Sequence, residues 1–248
     1  MMHLSIKFWN AWGPAIQSQA DAREWAAGER DWGAAGKPDV SHLPAMFRRR
    51  LSMQSRMVMA AIRPCAEHCS LKTVRTLFAS RWGESEVTAK LLAQMAEGER
   101  LSPMDFSLSV HNTAAGLFSI HQENHQANTA IAGGRDTFCY GMVEAASLLH
   151  QDPDNPVLLI VSDERLPAIY GEFIDEKQYA YALAMLLTSN EDGIVLRATC
   201  EQTPQEAAPD PGTALPDPQA ILFLRWLNSD EPALEIRNGR RAWRWERA

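Results

Sequence analysis

The feature that most constrains this chain is an unbroken apolar run at residues 157–161, Val-Leu-Leu-Ile-Val. A strand with one face in water alternates apolar and polar residues, whereas a strand covered on both faces is apolar throughout. The run therefore predicts a strand inside a sheet that carries helices on both faces, as in a parallel sheet.

Strand and helix patterns alternate around this run. Residues 4–8 alternate apolar and polar side chains and predict a half-buried strand at the start of the chain. Further strands are predicted at 73–80, 127–132 and 180–188, and helices at 54–66, 84–98, 112–120 and 138–149. This order predicts an α/β layered fold with a mixed sheet and flanking helices.

Two segments depart from the alternation. Residues 10–45 show no periodicity and are predicted to be an ordered loop anchored by tryptophans. Residues 203–218 contain five prolines, a density that predicts a linker because helices and inner strands exclude proline. Beyond it, residues 220–227 suit a short helix or strand, and Asn238-Gly239 predicts the turn of a hairpin. We predict three parts: a domain (1–200), a linker (203–218) and a C-terminal extension that packs on the domain (219–248).

Charge and motif content argue against several functions. The chain has 24 Lys and Arg against 31 Asp and Glu, a net charge of −7 that is unfavourable for nucleic acid. No apolar stretch approaches the length of a membrane span, and four cysteines are too few for a disulfide scaffold, so we expect a cytoplasmic protein. The GxSxG, GxxxxGK[ST] and HExxH motifs are absent, which argues against hydrolase, P-loop and zinc protease chemistry.

Two local patterns leave weaker alternatives open. Cys65, His68 and Cys69 fall within one helical turn and could form a metal site, but buried, inert thiols are the better interpretation because no second ligand pair follows. Gly133-Gly134-Arg135-Asp136 lies between a strand and a helix, where anions bind, but lacks the other glycines of a dinucleotide site. No metal and no cofactor is predicted.

The segment 102–120 carries the most specific motif. It ends in Asn112-Thr113-Ala114-Ala115-Gly116-Leu117-Phe118-Ser119-Ile120, which is similar to the Asn-x-x-Ala-Gly-x-x-Ser-Ile helix of β-ketoacyl synthases. A strand at 128–132, a helix at 138–149 and the apolar runs 157–164 and 182–187 follow in that family's order. The chain thus resembles the N-terminal half of the thiolase fold over about residues 50–190.

More weakly, the whole chain resembles the short synthase-like proteins associated with aryl polyene biosynthesis. Three features carry this likeness: Phe8 and Trp12 near the start, the segment 47–52, and Trp243-Arg244-Trp245 near the end. A catalytic synthase needs both thiolase halves, so 248 residues lead us to expect a half-synthase that depends on a partner.

The departures from the family concern catalysis. Alignment of the helix patterns puts Arg135 or Gly134 where an active synthase has its nucleophilic Cys, and arginine cannot carry an acyl group. The two histidines of the C-terminal half have no counterpart after residue 190. The resemblance therefore implies a non-enzymatic chain length factor that forms a heterodimer with an active ketosynthase and meets acyl carrier protein indirectly.

The resemblance also implies roles for particular residues. The dimer would form through the strand Asn128, Thr129, Ala130, Ile131 and Ala132. The partner's acyl pocket would be bordered by Val110, His111, Asn112 and Ala114, although Val110 and Ala114 could equally be plain helix-packing residues. Phe138 stands where the family prefers a small residue and would fill a pocket. A carrier-protein contact at Arg48, Arg49 and Arg50 is weighed against a solvated helix start, which we favour.

Two alternatives remain at this point. The first is a small acyltransferase or thioesterase that uses Cys139, one helical turn beyond the expected nucleophile, with His111 or His121. The second is a module that binds a carrier protein or an acyl chain without a synthase partner.

Overall fold

The apolar run at 157–161 lies inside an eight-stranded sheet, covered on both faces. The computed structural model describes residues 1–204 and 214–248. The strands in these residues are β1 (Met2–Trp12), β2 (Arg75–Ala79), β3 (Asn128–Ile131), β4 (Val157–Asp163), β5 (Tyr181–Thr188), β6 (Ile194–Gln202), β7 (Ala233–Asn238) and β8 (Arg241–Arg247).

The helices pack on both faces of this sheet. They are α1 (Gln19–Ala26), α2 (Ala45–Arg48), α3 (Met53–Ile62), α4 (Ser85–Ala96), α5 (Pro103–Ser107), α6 (Thr113–Gln122), α7 (Thr137–Gln151) and α8 (Gln219–Leu227). Short 3-10 helices span Arg63–Glu67, Gly134–Asp136 and Ala168–Phe173.

The sheet is mixed, with the strand order β3-β2-β4-β5-β1-β6-β8-β7. β2 runs parallel to β3 and to β4, whereas the pairs from β4 to β7 along the sheet are antiparallel. The predicted α/β fold with a mixed sheet and flanking helices is therefore confirmed.

Alternate side chains of β4 enter two separate cores. Val157, Leu159 and Val161 pack on the side of α7 and α8, while Leu158 and Ile160 pack on the side of α3 and α6. Because successive strand residues point to opposite faces, a strand that serves two cores must be apolar throughout. This double burial is the physical reason for the apolar run.

The C-terminal residues extend the same sheet. β8 pairs with β6, and β7 pairs with β8 across the predicted turn at Asn238-Gly239, where Gly239 has a φ of +59°. A left-handed φ favours glycine, which has no Cβ, so the hairpin prediction is confirmed with its reason. Residues 220–227 are helical within α8.

The predicted linker at 203–218 is described only at its ends, because residues 205–213 lie outside the described residues. At its end, the carbonyl of Pro216 accepts a hydrogen bond from the backbone N–H of Lys177 at 2.8 Å. Asp217 accepts one from the Tyr179 hydroxyl at 2.7 Å. The division into domain, linker and extension stays a prediction.

The predicted loop at 10–45 is wrong in part. β1 continues through Trp12, and α1 occupies Gln19–Ala26 after an N-cap in which Ser18 accepts from the backbone N–H of Asp21. α1 is short and buries only Ala22 and Trp25, which is too few positions to produce a visible helical period. The predicted strand at 128–132 also ends one residue early, at Ile131.

In residues 1–204 and 214–248, none of the helices combines the length and apolarity that crossing a bilayer requires.

Candidate functional site

The position expected for a synthase nucleophile lies at the start of α7. Gly134 has a φ of +61°, which turns the chain from β3 into the helix, and the Thr137 hydroxyl donates to the Gly134 carbonyl at 2.7 Å. Arg135 is half-buried here, whereas the next residue, Asp136, is buried. Neither Gly134 nor Arg135 offers a nucleophilic side chain.

Side chains of the C-terminal segment seal this helix start. The carboxylate of Asp136 accepts from Gln219 Nε2 at 2.7 Å, from Trp243 Nε1 at 3.0 Å and from Arg241 Nη1 at 3.3 Å. Gln219 Oε1 in turn accepts the backbone N–H of Cys139 at 3.3 Å. In many enzymes the start of a helix binds an anion or stabilises an oxyanion. At the start of α7, the chain's own side chains occupy that position.

Phe138 belongs to the same sealed region. Its ring lies 4.8 Å from that of Phe223 and 5.9 Å from that of Trp245, centroid to centroid, and its side chain is buried. It fills the interior between α7, α8 and β8. Phe138 is therefore not at the surface, and a role beside a partner's pocket stays a prediction for the other residues.

Cys139 is buried beside these rings. Burial, and secondarily the charge of Asp136, raises the pKa of its thiol well above the usual value. His121 lies in α6 and His111 in the loop before it, on the opposite face of the sheet from α7. The thiol is therefore protonated near neutral pH and has no imidazole of His111 or His121 beside it. Both findings argue against the Cys-dependent acyltransferase.

We expect iodoacetamide at pH 7.5 to alkylate the exposed Cys200 of the folded chain well before Cys139, because the thiolate is the reactive species. Mass spectrometry of the digested protein measures both sites at successive times. Unfolding in urea supplies the control, since both thiols are then accessible. Equal rates for the two sites in the folded chain would contradict the sealed arrangement.

A second group of polar residues gathers where β2 and β4 end. Because β2, β3 and β4 are parallel, their carboxyl ends meet at one edge of the sheet, which we call the carboxyl edge. In open α/β sheets this edge is where ligands bind. Asp163 ends β4 and is buried, and its Oδ1 accepts from the Ser80 hydroxyl at 2.8 Å and from the backbone N–H of Trp82 at 2.9 Å.

Asp163 is fully satisfied within the chain. Its Oδ2 accepts from the backbone N–H of Arg81 at 3.1 Å and from the Tyr181 hydroxyl at 3.3 Å. Burial raises the pKa of this carboxyl in spite of the four donors. The residue holds the loop after β2 against the end of β4.

Gln54 and Glu84 are two further buried polar residues at the carboxyl edge. Gln54 Nε2 donates to the carbonyl and the hydroxyl of Ser162, both at 2.9 Å, and Glu84 Oε1 accepts from the hydroxyls of Ser52 and Ser55 at 2.9 and 3.0 Å. Burial raises the pKa of Glu84 to about 6. Gln54 Oε1 and Glu84 Oε2 are buried without a hydrogen-bond partner among the described residues.

Glu164 completes the carboxyl edge. It is 7% exposed, and its Oε1 is also buried without a partner in the described part of the chain. Burial, followed by the charges of Glu84, Glu86 and Asp163, raises its pKa to about 8. The carboxyl edge therefore contains buried hydrogen-bond acceptors without donors among the described residues, and its acidic side chains interact with one another.

A cleft of about 320 Å³, which we call the edge cleft, opens beside these acids. Its lining consists of Trp82, Ser85, Thr88, Leu166, Tyr170 and Phe173. A larger cleft of about 520 Å³ is lined by Asn10, Trp12, Asp39 and Arg63, among others, and contains none of the predicted site residues. Volume alone therefore does not identify the site.

The residues predicted to border a partner's pocket lie against the carboxyl edge. His111 Nε2 is 2.8 Å from the carbonyl of Ser80, and Gly83 leaves the space that the His111 ring fills, since a Cβ there would lie 2.9 Å from the ring. Val110, His111 and Asn112 are exposed, whereas Ala114 is buried in the core under α6. The first three are thus at the surface, and Ala114 is a packing residue.

The predicted dimer strand β3 is an edge strand of the sheet. Its Ile131 carbonyl accepts the backbone N–H of Ser80 at 3.1 Å and therefore faces β2. Because successive residues of a strand direct their backbone groups to opposite sides, Asn128 and Ala130 direct theirs away from the sheet. Ala132 is exposed just beyond the strand.

The arginine run lies before α3, at the other side of the carboxyl edge. Arg48 Nη1 donates to the carbonyl of Ser41 at 3.2 Å, while Arg49 and Arg50 are exposed. The run is followed by Ser52, which hydrogen-bonds Glu84. A carrier-protein contact here stays a prediction.

The described residues contain no group of three or more His, Cys, Asp or Glu arranged to hold a metal ion. Burial raises the pKa of the Cys65 thiol to about 12 and that of Cys69 to about 11. Both thiols are therefore protonated near neutral pH and are weak nucleophiles.

The acids of the carboxyl edge were missed by the sequence reasoning. A usable signal was present, because Asp163 and Glu164 come just after the apolar run 157–161 and Glu84 follows β2 by a few residues. Acidic side chains in these positions fall at the carboxyl edge of a parallel pair. The seal formed by Gln219 and Trp243 left no comparable signal, because their partner Asp136 is distant in sequence.

Comparison with known proteins gives a family match and several similar structures. The model of the family described as "Beta-ketoacyl synthase, N-terminal domain" matches residues 22–246. No curated protein matches significantly. Among solved structures, a chain of a ketosynthase in complex with its chain length factor from Xenorhabdus doucetiae is similar at a TM-score of 0.83 and 25% identity, with 100% of both chains covered.

Two further structures share the fold at lower identity. The ishigamide ketosynthase/chain length factor matches at a TM-score of 0.63 and 17% identity, over 82% of this chain and 68% of that chain. A type II polyketide synthase acyl carrier protein in complex with its ketosynthase matches at 0.65 and 9%, over 82% and 70%. The thiolase-like fold expected from the sequence is therefore confirmed.

Proposed function

Because the chain belongs to the family of β-ketoacyl synthase N-terminal domains, we propose that it is a chain length factor for a ketosynthase. In this role it forms a heterodimer with the active synthase and shapes that synthase's acyl pocket in aryl polyene biosynthesis. The observation that carries the proposal is the end-to-end match with a chain of the Xenorhabdus doucetiae complex, which contains a ketosynthase and its chain length factor.

The start of α7 supports a subunit without a nucleophile of its own. Gly134 or Arg135 is predicted to stand in place of the nucleophile, Asp136 is engaged by three donors, and the Cys139 thiol is buried with a raised pKa. Condensation requires a thiolate that carries the acyl chain, and none of these groups provides it. In this proposal, the acyl chain is carried by the partner synthase alone.

The open edge of β3 supports pairing with a second sheet. Asn128 and Ala130 direct backbone donors and acceptors outward, and an edge strand with free backbone groups pairs readily with another strand. Val110, His111 and Asn112 lie at the surface beside it, near the end of β2. These residues together form the proposed face toward the ketosynthase and its pocket.

Co-expression with the cognate ketosynthase tests the proposal. We expect a stable 1:1 complex on size-exclusion chromatography with light scattering. The complex should extend an acyl chain, whereas the isolated chain should extend none. An isolated chain that remains monomeric in the presence of the synthase would refute the proposal.

Substitution of Ala130 by proline tests the strand contact. Proline removes the outward N–H at this position and places its ring on the open edge, so we expect about a tenfold or greater loss of heterodimer affinity. Biolayer interferometry with immobilised ketosynthase measures the affinity, and circular dichroism confirms that the variant is folded.

The matched control is Glu235→Pro on β7, the opposite edge strand of the sheet. The carbonyl of Pro232 faces β8, so the backbone groups of Glu235 face outward as those of Ala130 do. This control should bind like the original chain. If Ala130→Pro unfolds, Asn128→Pro gives the same test at the start of β3. Unchanged binding for a folded β3 variant would remove the strand from the interface.

A further inference from the structure

Buried acceptors outnumber donors at the carboxyl edge. Gln54 Oε1, Glu84 Oε2 and Glu164 Oε1 have no hydrogen-bond partner among the described residues, and neither does the Ser85 hydroxyl. Each of these four residues is more than nine-tenths buried. Leaving one buried acceptor unpaired costs about 1–3 kcal/mol, and the proton that Glu164 holds below pH 8 can satisfy only one of them. Their concentration in one place therefore indicates a further donor that comes from elsewhere.

The charges around Glu164 specify the kind of donor. The charged groups that shift the pKa of Glu164 are all acidic, namely Glu84, Glu86 and Asp163. Among the basic residues of this region, Arg81 already pairs with Asp175 at 2.8 Å and with Glu176 at 2.9 Å, and Arg165, which follows Glu164 in the chain, is exposed. A cationic donor would therefore satisfy both the hydrogen bonding and the charge of this group.

Within residues 1–204 and 214–248, no basic side chain hydrogen-bonds these oxygens. Residues 205–213, which lie outside the described residues, contain no Lys, Arg or His. A basic side chain on a separate protein is therefore a source that fits this position.

The edge cleft is lined by residues that neighbour the acids in the chain, although the acids themselves do not line it. Ser85 lines the cleft and adjoins Glu84 at the start of α4, and Leu166 lines it two residues after Glu164. The walls of Trp82, Tyr170 and Phe173 are aromatic. Such walls accept the apolar stem of a basic side chain and stack against a guanidinium plane, as Arg81 already does on Trp82 at 4.2 Å.

The edge cleft is continuous with the proposed partner face. The Ser80 carbonyl contacts His111, and the Ser80 hydroxyl contacts Asp163, the residue before Glu164. Around the same edge, Val110, Ile169 and Phe173 leave 47%, 66% and 55% of their surface exposed. Large apolar side chains beside an acidic cleft are typical of a surface that another protein covers.

We propose that the edge cleft receives a basic side chain, arginine or lysine, of the ketosynthase partner, with Glu84 and Glu164 as its carboxylate acceptors and Gln54 and Ser85 as further oxygen partners. This inference rests on the proposed heterodimer. It assigns the acids of the carboxyl edge to recognition of the partner.

The experiment compares heterodimer affinity for the original chain and for Glu164→Gln, with the cognate ketosynthase as the probe. Glutamine keeps the shape and removes the charge, so we expect affinity to fall about tenfold or more, mainly through faster dissociation. Glu84→Gln retains an oxygen for Ser52 and Ser55 and should show a loss of similar size. Biolayer interferometry at pH 8 measures both rate constants.

Glu97→Gln is the matched control, because Glu97 is an exposed acid at the end of the same helix and is not among the charges that act on Glu164, so affinity should change less than twofold. If the original chain binds and both buried variants bind within twofold of it, the inference is wrong, ordered water satisfies the acceptors, and the proposed function stands. If the original chain itself does not bind the ketosynthase, the proposed function fails. A tenfold loss confined to the buried acids supports the inference.

Discussion

Replacement of Asp136 by alanine is expected to lower the free energy of unfolding by about 3–5 kcal/mol, the cost of breaking a buried charge pair and its hydrogen bonds. The carboxylate is 2% exposed and joins the start of α7 to Gln219, Arg241 and Trp243. Alanine leaves three donors without an acceptor, two of them in the interior. Because the three donors come from the C-terminal segment, that segment should loosen together with α7.

Urea unfolding followed by tryptophan fluorescence measures this effect. Asp136→Asn keeps an acceptor oxygen and should lose less, about 1–3 kcal/mol. Glu246→Gln is the control, because its partner Arg244 is exposed and such pairs contribute about 0.5 kcal/mol. An Asp136→Ala variant that unfolds at the same urea concentration as this control would show that the C-terminal segment is not held through Asp136.

Replacement of Glu164 by glutamine is expected to stabilise the free chain at pH 8 and to leave its stability unchanged at pH 4. In the folded chain, burial and the charges of Glu84, Glu86 and Asp163 raise the pKa of Glu164 to about 8, above the ordinary value of 4.5. The folded state therefore holds a proton that the unfolded state releases. The stability from this group is fully present below pH 4.5 and is lost as the pH rises through 8.

Each unit of pKa shift changes the free energy of unfolding by about 1.4 kcal/mol, so the shift from 4.5 to about 8 costs up to about 5 kcal/mol at high pH. We expect Glu164→Gln to recover about 2 kcal/mol or more at pH 8, since glutamine stays neutral. Urea midpoints at pH 4 and pH 8 measure the difference, with the exposed Glu97→Gln as control. Parallel losses of stability with pH in the original and variant chains would contradict the prediction.

The two effects of Glu164 have opposite signs. The same substitution that stabilises the free chain is expected to weaken the heterodimer. Groups that bind a partner are often unfavourable in its absence, because their charge is desolvated before its counterion arrives. A variant that improves stability and worsens binding would distinguish a recognition residue from an ordinary packing residue.

The fold was largely predictable because its central strands carry strong local signals. β4 begins with five apolar residues, β5 contains the apolar run 182–187, and the helices α4, α6 and α7 were each found near their observed bounds. The motif at 112–120 added the family, which periodicity alone does not reveal. The helix α1 was missed because its few buried residues give no period.

The sites were less predictable because they depend on contacts between distant parts of the chain. Gln54 donates to Ser162, 108 residues away, and Asp136 accepts from Trp243, 107 residues away. No local pattern specifies such pairs. The sequence pattern also did not reveal that β6, β8 and β7 would continue one sheet, since strand order depends on long-range pairing.

The shortness of β3 limits what the open edge can contribute. Four residues form only a few backbone hydrogen bonds with a neighbouring strand, whereas a stable interface buries about 1,600 Å² in total. Such an edge fixes the alignment of two subunits but supplies little of the binding energy, and it is too short to template the sheet growth that long exposed strands support. The choice between a like and an unlike subunit is then made by side chains around the strand, so pairing selectivity can change without any alteration of the backbone that joins the sheets.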